Sequence, residues 1–443
     1  MKNLLKKVFG LGLSALLSVA CFGCSNSGNL LNDALLQRSA KAEELSYKQQ
    51  TSESLNAFRW KADNFSARFS ETAFSVYKKE ENFTVSPVSV FAALALATEC
   101  SAGNTRTELL STLGVNYEEL KDGIGTLYRS LNETYQQMGV DGKEKTLGMV
   151  RLSNSIWLQK GVKAKQLCLN DLSNDYYCDS YTVDFAGEND NANKAVRQFA
   201  KEKTKGLIDK DFRLSKATVF ALMNTLYLKD VWNTEGADLT LTQKEYSFTS
   251  EKGNSKSERF LQGRYLAGRA YKTDRYSAFY TSTINGYKIK FIVPETGYTV
   301  ADVFTAQTLE TVNGLRTWRE ADEDTKTEYY TRCIFPEYEA SYDEDIIPLL
   351  SSMGINDLFK PSCNMSNLTD TPVVCDSVQH ATKLKVNRKG IEGAAVTIMQ
   401  GSKNSAPSER KIVYEDFLVD KSFGFILTDR YGVALFSGVV KNI

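Results

Sequence analysis

One histidine limits the chemistry that this chain can perform. His380 is the only histidine among 443 residues, so a three-histidine metal site cannot form, and a Ser-His-Asp hydrolase would have to use this side chain. No G-x-S-x-G turn, H-E-x-x-H helix, Walker loop or dinucleotide-binding glycine pattern occurs. Two of the 54 acidic residues could still form a glycosidase pair, but the sequence does not show which acids face each other. We expect no enzymatic activity, no metal and no cofactor.

The N-terminal residues have the pattern of a bacterial lipoprotein signal. Three lysines precede an apolar run over residues 8–20 that is too short to span a bilayer stably. The run ends in LSVAC, which resembles a lipobox and makes Cys21 the expected lipid attachment site, with Cys24 as the alternative. The Cys-x-x-Cys spacing would otherwise suggest a redox or metal pair. Plain secretion without a lipid is the competing interpretation.

The remaining six cysteines do not resemble a dense disulfide framework, because they are scattered along the chain. Two pairs could form in an oxidising environment, although buried free thiols are the expected state. These pairs are Cys168 with Cys178, and Cys363 with Cys375.

Composition indicates one globular protein with a large core, since 42% of residues are apolar and 11% aromatic. The 54 basic and 54 acidic residues balance, which excludes the basic footprint of a nucleic-acid-binding protein. Cleavage of residues 1–20 would remove three lysines and leave 51 basic against 54 acidic groups. Residues 21–54 are mostly polar and predict a tether that lifts a single domain, residues 55–443, off a membrane.

Hydrophobic patterns predict mixed helices and strands. A long helix with one apolar face is indicated by residues at spacings of three and four, namely Phe58, Ala62, Phe65, Phe69, Ala73 and Val76. A short strand follows, and then a buried helix with Ser86 as its N-cap and Pro87 at its first position. Because helices and strands do not alternate strictly, the pattern favours an α+β fold with large, mainly antiparallel sheets.

Six stretches, in order and at compatible spacing, resemble the serpin family. They are FTVSPVSVFAALAL with SAGNT, LSNSIWLQ, VDF with TKGLI, NTLYLKDVW, SSMGINDLF with NMSNLTD, and FLVDKSFGFILTDRYGVALFSGVV. The similarity runs from about residue 58 to residue 442. It implies a serpin-like fold with three β-sheets, about eight or nine helices and an exposed reactive-centre loop.

The resemblance places this loop at about residues 388–412. In inhibitory serpins its first half inserts as a new strand into an existing sheet, and fourteen extended residues, 391–404, would span about 46 Å. The positions assigned to the loop hinge are Arg388, Gly390, Ile391, Glu392, Gly393, Ala394, Ala395 and Thr397. Strand alternation would turn Ile391, Gly393, Ala395, Thr397, Met399 and Gly401 inward, and the residues between them outward. Most of the inward residues are small.

Two further sites follow from the resemblance. Four residues match a polar cluster beneath the opening strands, called the shutter: Ser86, Ser89, Asn224 and His380. Trp232 matches the tryptophan of the breach, the place where insertion begins. A lone histidine is more often an ordinary core or surface residue, so the shutter role of His380 depends on the family resemblance.

The hinge departs from the family pattern at two positions. Arg388 stands where the family normally has glutamate, and Ile391 where it normally has threonine or serine. The branched side chain of Ile391 is costlier to admit into a sheet than a hydroxyl, though far cheaper than a charge. Slow insertion would let a protease cleave the loop and leave.

The position of the cleaved bond stays open. Counting from the hinge gives Asn404-Ser405, whereas counting back from the last strands ends near Lys411. Lys403 and Arg410 are alternatives that would suit a trypsin-like protease. Cleavage near Met399 or Ser405 would suit an elastase-like or subtilisin-like protease.

Together these features predict a monomeric inhibitor of extracellular serine or cysteine proteases, held at the cell surface by a lipid or secreted. It would trap the protease in a covalent acyl complex by suicide-substrate insertion. A non-inhibitory serpin that is a protease substrate or a binding protein is the first alternative. An unrelated surface lipoprotein hydrolase is the second. We expect no nucleic-acid partner.

Overall fold

The computed structural model describes residues 29–77, 79–138, 144–232, 239–315, 327–392 and 411–443. Its α-helices are Leu30–Ala34 (α1), Tyr47–Gln50 (α2), Glu53–Val76 (α3), Pro87–Cys100 (α4), Gly103–Leu113 (α5), Tyr117–Ser130 (α6), Gln166–Asn174 (α7), Asn189–Lys203 (α8), Val300–Val303 (α9), Ala306–Gly314 (α10) and Ile347–Ser352 (α11). Among the described residues, no helix is long and apolar enough to cross a membrane.

Strands make up the larger part of the architecture. They are Leu35–Gln37 (β1), Phe83–Val85 (β2), Asn132–Met138 (β3), Glu144–Gln159 (β4), Cys178–Val183 (β5), Phe220–Lys229 (β6), Thr240–Leu241 (β7), Tyr246–Thr249 (β8), Ser255–Glu258 (β9), Leu261–Gln262 (β10), Leu266–Ala267 (β11), Tyr271–Lys272 (β12), Tyr276–Ser282 (β13), Lys288–Pro294 (β14), Thr327–Phe335 (β15), Tyr338–Asp345 (β16), Gln379–Asn387 (β17), Gly390–Ile391 (β18), Lys411–Leu418 (β19), Phe423–Thr428 (β20) and Ala434–Val440 (β21).

The strands form four hydrogen-bonded sheets within the described residues. One has the order β1-β5-β4-β3, with β6 pairing β4, and a second has the order β11-β15-β10-β7, with β19 pairing β15. Nine strands follow the order β12-β13-β14-β20-β21-β2-β16-β17-β18, and β8 pairs β9. Three strand pairs among the described residues are parallel, namely β4 with β5, β2 with β16, and β15 with β19, and the other strand pairs are antiparallel. The predicted α+β class with mainly antiparallel sheets is confirmed.

The element counts differ in detail from the expectation of three sheets and eight or nine helices. Eleven α-helices lie in the described ranges, but α1, α2 and α9 have only four or five residues each. The nine-stranded path is long because β2 pairs both β21 and β16 and so joins two groups of strands.

The two helices predicted from the sequence form the centre of the core. Helix α3 buries Phe58, Phe65 and Phe69, as the spacing predicts, whereas Val76 at its last position is 47% exposed. All fourteen residues of α4 are buried, because the helix has almost no polar face to present to water. Helix α4 packs on β6 and on β21, so it supports the strands that carry the candidate site.

Residues 29–54 differ from the predicted tether, because they pack against the rest of the chain. Strand β1 pairs antiparallel with β5, where Leu35 faces Tyr181 and Gln37 faces Ser180. Helix α1 lies on α8 and buries Leu31 and Ala34 in an apolar cluster that includes Trp157 and Phe199. The segment has too few apolar residues for a clear period, and its partner strand is about 140 residues away, so its sequence alone did not reveal this contact. Residues 21–28 lie outside the described residues.

Further contacts hold the segment after β1. The Ser39 N–H donates to Asp179 Oδ1 at 2.9 Å, and the Ala40 N–H donates to the Ser173 carbonyl at 3.0 Å. The Arg38 guanidinium also lies 3.8 Å from Asp179 Oδ2. These main-chain and ionic contacts fix residues 38–40 beside the β5 edge.

Replacing Leu31 should test whether this segment stabilises the fold. Leu31 is 6% exposed and Leu36, five residues later, is 44% exposed, so the two leucines form a matched pair. We expect Leu31→Ala to lower the free energy of unfolding by about 2 kcal/mol, whereas Leu36→Ala should change it by less than about 0.5 kcal/mol. Urea unfolding followed by tryptophan fluorescence measures both. Equal effects from the two variants would show that α1 does not pack as described.

Candidate functional site

Strands β6 and β17 lie side by side without a ladder of hydrogen bonds between them. Strand β6 pairs β4 on one edge, and β17 pairs β16 on the opposite edge. Over residues 221–229 and 379–387 no main-chain hydrogen bond joins the two strands. They are bridged at one end by Phe220 with Cys375, in parallel, and at the other end through Ile391. We call the space between these bridges the slot.

His380 lies at the lower part of the slot, near the start of β17. It is 5% exposed, and its Nε2 accepts a hydrogen bond from the Ser86 N–H at 3.1 Å. Phe69 and Tyr342 pack around the imidazole, with ring centroids 6.0 and 5.9 Å away. Burial and, secondarily, the nearby Lys210 charge lower the pKa of His380 to about 3. The imidazole is therefore neutral near pH 7, and Nε2 is engaged with the main chain.

Ser89 and Asn224 face each other across α4 and β6. The Ser89 hydroxyl donates to Asn224 Oδ1, and the Asn224 amide donates to Asn154 Oδ1. Asn154 in turn donates to the Tyr176 carbonyl at 2.7 Å. This chain of hydrogen bonds links α4, β6 and β4, so that the side chains of Ser89, Asn224 and Asn154 all have partners.

The structure thus brings the four predicted shutter residues together. Ser89, Asn224 and His380 line one small cavity between β6 and β17, and Ser86 binds His380 through its main chain. The Ser86 hydroxyl itself is buried without a hydrogen-bond partner, and it does not cap α4. Asn154 was not predicted, although the sequence holds a signal for it: Asn154 shares the strand face of Leu152, Ile156 and Leu158, which are core residues.

The upper end of the slot is closed by the hinge. The Ile391 N–H donates to the Asp230 carbonyl at 2.9 Å, and Ile391 also faces Val386 of β17. Ile391 is fully buried and belongs to the main apolar core. The hinge therefore places Ile391 between the chain at the end of β6 and strand β17, antiparallel to both.

Gly390 is required at this junction. Its φ is 141°, and a Cβ added there would lie 2.1 Å from the Asp230 carbonyl oxygen. Asp230 is a second site residue that was not predicted, and it directly follows the apolar strand β6. Burial raises the pKa of Asp230 to about 6, although hydrogen bonds from Thr283, Asn285 and the Val231 N–H partly oppose the shift.

Trp232 joins β6 to the top of β17. Its indole N–H donates to the Asn387 carbonyl at 2.7 Å, and its ring packs against Phe335 with centroids 5.9 Å apart. Next to it, the exposed Arg388 is held through its main chain: its N–H donates to Glu337 Oε1 at 2.7 Å, and its carbonyl accepts from the Leu239 N–H at 2.8 Å. The predicted breach tryptophan thus contacts the strand from which the hinge leaves.

Glu392 is the last described residue of the hinge. Its N–H donates to the Lys385 carbonyl at 2.8 Å, and its φ of 66° is unusual for a residue with a side chain. Burial raises the pKa of the Glu392 carboxyl, which hydrogen-bonds to Tyr227 on β6. The other positions assigned to the loop or the lipid site lie outside the described residues; they are Gly393, Ala394, Ala395, Thr397, Lys403, Asn404, Ser405, Arg410, Cys21 and Cys24.

The cysteines do not add a second site. All six described cysteines are free thiols, five of them buried and Cys363 half-buried. Within the described ranges, no group of three or more His, Cys, Asp or Glu side chains could hold a metal ion.

Comparison with known proteins decides the family. A family model described as "Serpin (serine protease inhibitor)" matches residues 62–443. The chain belongs to the serpin family. Serpin relatives include a serine protease inhibitor from Mus musculus, 26% identical over 343 residues that cover 73% of this chain and 77% of the relative. Corticosteroid-binding globulin from Saimiri sciureus is 27% identical over 338 residues, covering 73% and 79%.

A solved serpin structure shows the same fold. The native state of tengpin, a thermophilic serpin, superposes with a TM-score of 0.71 at 20% sequence identity, covering 94% of this chain and 99% of tengpin. The relatives therefore include both a protein named as a protease inhibitor and one named as a steroid-binding globulin.

Protonation of His380 should make this serpin sensitive to acid. Because its pKa is lowered to about 3 in the folded state and is about 6.5 in an unfolded chain, the unfolded state binds the extra proton between these pH values. Above pH 6.5, this difference does not reduce the free energy of unfolding. Between pH 6.5 and pH 3, the free energy of unfolding should fall by up to about 1.4 kcal/mol for each unit by which the pH is lowered. His380→Gln should remove this part of the slope, measured by urea unfolding between pH 7 and pH 4.5. An identical slope in both proteins would mean that His380 is not buried in neutral form.

Proposed function

We propose that this serpin inhibits extracellular serine or cysteine proteases by presenting the loop at about residues 388–412 as a substrate. The protease would cleave the loop, and the freed segment would insert into the slot between β6 and β17. The slot is the observation that carries the proposal. These two neighbouring strands, of ten and nine residues, are bridged only near their ends among the described residues, which leaves facing edges that a further strand can pair with.

The direction of the hinge agrees with such an insertion. Strands β6 and β17 run parallel, and β18 is already antiparallel to β17. A strand that continues from Ile391 down the slot would be antiparallel to both neighbours. Each of its residues could use its N–H and its C=O, and each such hydrogen bond contributes about 1 kcal/mol net. The loop-inserted form would therefore lie well below the intact form in free energy.

The chemistry would be supplied by the protease. Its serine or cysteine attacks the carbonyl carbon of the loop bond, and that bond to nitrogen breaks. The proton of the attacking group passes to the departing nitrogen, which becomes the amino terminus of the C-terminal fragment, and an acyl link forms between the loop and the enzyme. Insertion would then carry the acyl-linked protease over a distance comparable to the roughly 46 Å of an extended fourteen-residue strand. The bond is expected at Asn404-Ser405, with cleavage after Lys403 or Arg410 as the alternative for a trypsin-like enzyme.

Two alanines in the loop provide a matched test of this mechanism. Alternation along the strand turns Ala395 towards the core and Ala394 towards solvent after insertion. We expect Ala395→Arg to abolish trapping while cleavage continues, because a charge would be forced beneath the sheet. Ala394→Arg should trap nearly as well as the unchanged chain. Denaturing gels after incubation with a panel of serine and cysteine proteases show the complex as a band at the summed mass.

Other results would identify the alternatives. A cleaved chain without any complex, melting no higher than the intact chain, would indicate a non-inhibitory serpin that is only a substrate. Equal trapping by the two arginine variants would contradict the assignment of inward and outward faces. Turnover of an ester or glycoside by the serpin alone would favour a hydrolase. The structure argues against this alternative, because His380 Nε2 already accepts a main-chain hydrogen bond and is not free to act as a base.

A ligand-binding serpin is the second candidate function. A cavity of about 190 Å³ lies between α3, α10, β20 and β21, where Trp60, Leu309 and Ile426 contribute apolar surface and Asn313 a polar group. Its volume is below the roughly 300–1,000 Å³ typical of sites for drug-sized ligands, although a cleft of about 410 Å³ between α3 and α6 falls within that range. We rank ligand binding below protease inhibition because a ligand site does not explain the slot. Complete one-to-one trapping of a protease would argue against it as the main role.

We place the protein at the cell surface, attached through a lipid on Cys21, as a further part of the proposal. The signal pattern at residues 1–21 supports this location. Labelling bacterial cells that express the full chain with a radioactive fatty acid should give a labelled band that Cys21→Ser abolishes and Cys24→Ser retains. If only Cys24→Ser lost the label, Cys24 would be the lipid attachment site. If neither the unchanged chain nor either variant were labelled, the protein would be secreted without a lipid.

A further inference from the structure

The N-terminal segment of the described chain starts on the outer surface of α8. Asn29 is the first described residue, and the Gln198 side-chain amide donates a hydrogen bond to Asn29 Oδ1 at 3.1 Å. Helix α1 follows directly and lies on α8, and β1 then pairs with β5. Residues 21–28 therefore join the proposed lipid site at Cys21 to one fixed point on the surface of the fold.

Helix α8 covers one face of the sheet that contains β4 and β6. Trp157 and Met223 point from this sheet towards α8 and share an apolar cluster with Phe199. Ile156 and Leu222, each one position earlier on the same strands, point the opposite way into the main core. Helix α4 packs on that opposite face, and β21, with β20 beside it, lies beyond α4. The layers therefore run from α8 through the sheet and α4 to β21 and β20.

The slot lies within the second of these layers. Ala381 of β17 packs against the apolar cluster that includes Phe199, so α8 is on the same side of both strands that border the slot. Strands β6 and β17 run along this layer, and a strand added between them would do the same. The direction of loop insertion is therefore perpendicular to the line from α8 to β21.

The link from Cys21 to α8 is short compared with the fold. The eight residue steps from Cys21 to Asn29 span at most about 29 Å, at no more than about 3.6 Å each. A compact domain of about 415 residues has a radius of gyration of about 22 Å, so a path around half of its circumference is about 90 Å long. The link cannot cover that distance. The lipid therefore cannot enter a bilayer that lies against the surface opposite α8.

We propose that the docked N-terminal segment holds this serpin with α8 facing the membrane and with β20 and β21 facing away from it. This inference rests on the lipid attachment at Cys21, which is part of the proposed function. The slot then lies parallel to the bilayer. Insertion of the cleaved loop would carry an acyl-linked protease along the membrane surface, not into it, so the membrane would not block the movement.

The surface of α8 is suited to lie near lipid headgroups without binding them tightly. Residues 189–213 contain seven basic and four acidic side chains, and two of the basic ones, Lys203 and Lys210, pair with Asp179 and Asp343 on strands. This leaves five basic against four acidic groups, so anionic headgroups are neither repelled nor strongly attracted. None of the exposed large apolar side chains in the described ranges belongs to residues 189–213. The short link therefore sets the orientation, which should not change with salt concentration.

Fluorescence energy transfer between the protein and the bilayer tests this orientation. The lipid-modified mature chain is inserted into phosphatidylcholine vesicles that carry an acceptor dye on a fraction of the headgroups. A donor dye is attached through a genetically encoded alkyne side chain in place of either Lys194 or Lys252. Lys194 is exposed on α8, whereas Lys252 follows Glu251, whose N–H donates to Ser422 beside the start of β20 at 3.2 Å.

The donor on α8 should lie closer to the acceptors. Because three layer spacings of about 10 Å separate the two positions, we expect the transfer efficiency from the Lys194 position to be higher by about twofold or more. The difference should be the same at low and high salt. Thermal melting of each labelled chain shows that the fold is retained.

A longer link supplies the matched control. Twenty glycine and serine residues inserted after Ser27 leave the lipid and the domain unchanged but extend the link to at most about 100 Å. The domain can then turn, so the two transfer efficiencies should converge. Equal efficiencies with the native link, or a higher efficiency from the Lys252 position, would overturn the proposed orientation.

The outcomes separate this inference from the proposed function. Protein that floats with the vesicles, gives equal transfer from both positions and still traps a protease would overturn the orientation alone. Unequal transfer as expected, with cleavage of the loop but no covalent complex, would support the orientation and overturn protease trapping. Protein that does not float with the vesicles would overturn the lipid attachment and the orientation together.

Discussion

The facing edges of β6 and β17 are the constraint on which the candidate site depends. Main-chain N–H and C=O groups inside a protein must find partners, so a sheet normally continues until an edge meets solvent or another strand. Here two edges meet each other across the slot, with a bridge at Phe220 and Cys375 and a second through Ile391 and Asp230. Strands on either side hold this arrangement, because β4 fixes β6 and β16 fixes β17 along nearly their whole lengths. Along the described lengths of β6 and β17, the edges that face each other are therefore the ones without a strand partner.

Small polar residues near the lower end make this opening tolerable. Ser89 and Asn224 pair with each other, and His380 satisfies the Ser86 N–H, so these groups have partners although the two strands do not pair. A buried polar network stabilises a fold only when its groups have hydrogen-bond partners. Among the groups named in this paragraph, the Ser86 hydroxyl alone has no such partner.

Much of the fold follows from local patterns, whereas the contacts made over long sequence distances do not. The spacing of Phe58, Phe65 and Phe69 predicted α3, and the apolar run after Pro87 predicted α4 as a central helix. The four shutter positions came from the family resemblance, and the structure brings them together near one end of the slot. Asn154 and Asp230 were not predicted because a single polar residue in an apolar strand does not reveal its partner. The packing of residues 29–54 was also not predicted, because the two buried residues of α1 are too few to give a hydrophobic period.

Strand β1 has a consequence for how copies of this chain behave towards one another. Exposed sheet edges are templates on which a second molecule can add a strand and start a polymer. By pairing with Ser180 and Tyr181, β1 covers part of the β5 edge with the chain's own N-terminal segment. A second molecule is thereby kept from adding a strand at Ser180 and Tyr181, because β1 of the same molecule already lies along this part of β5.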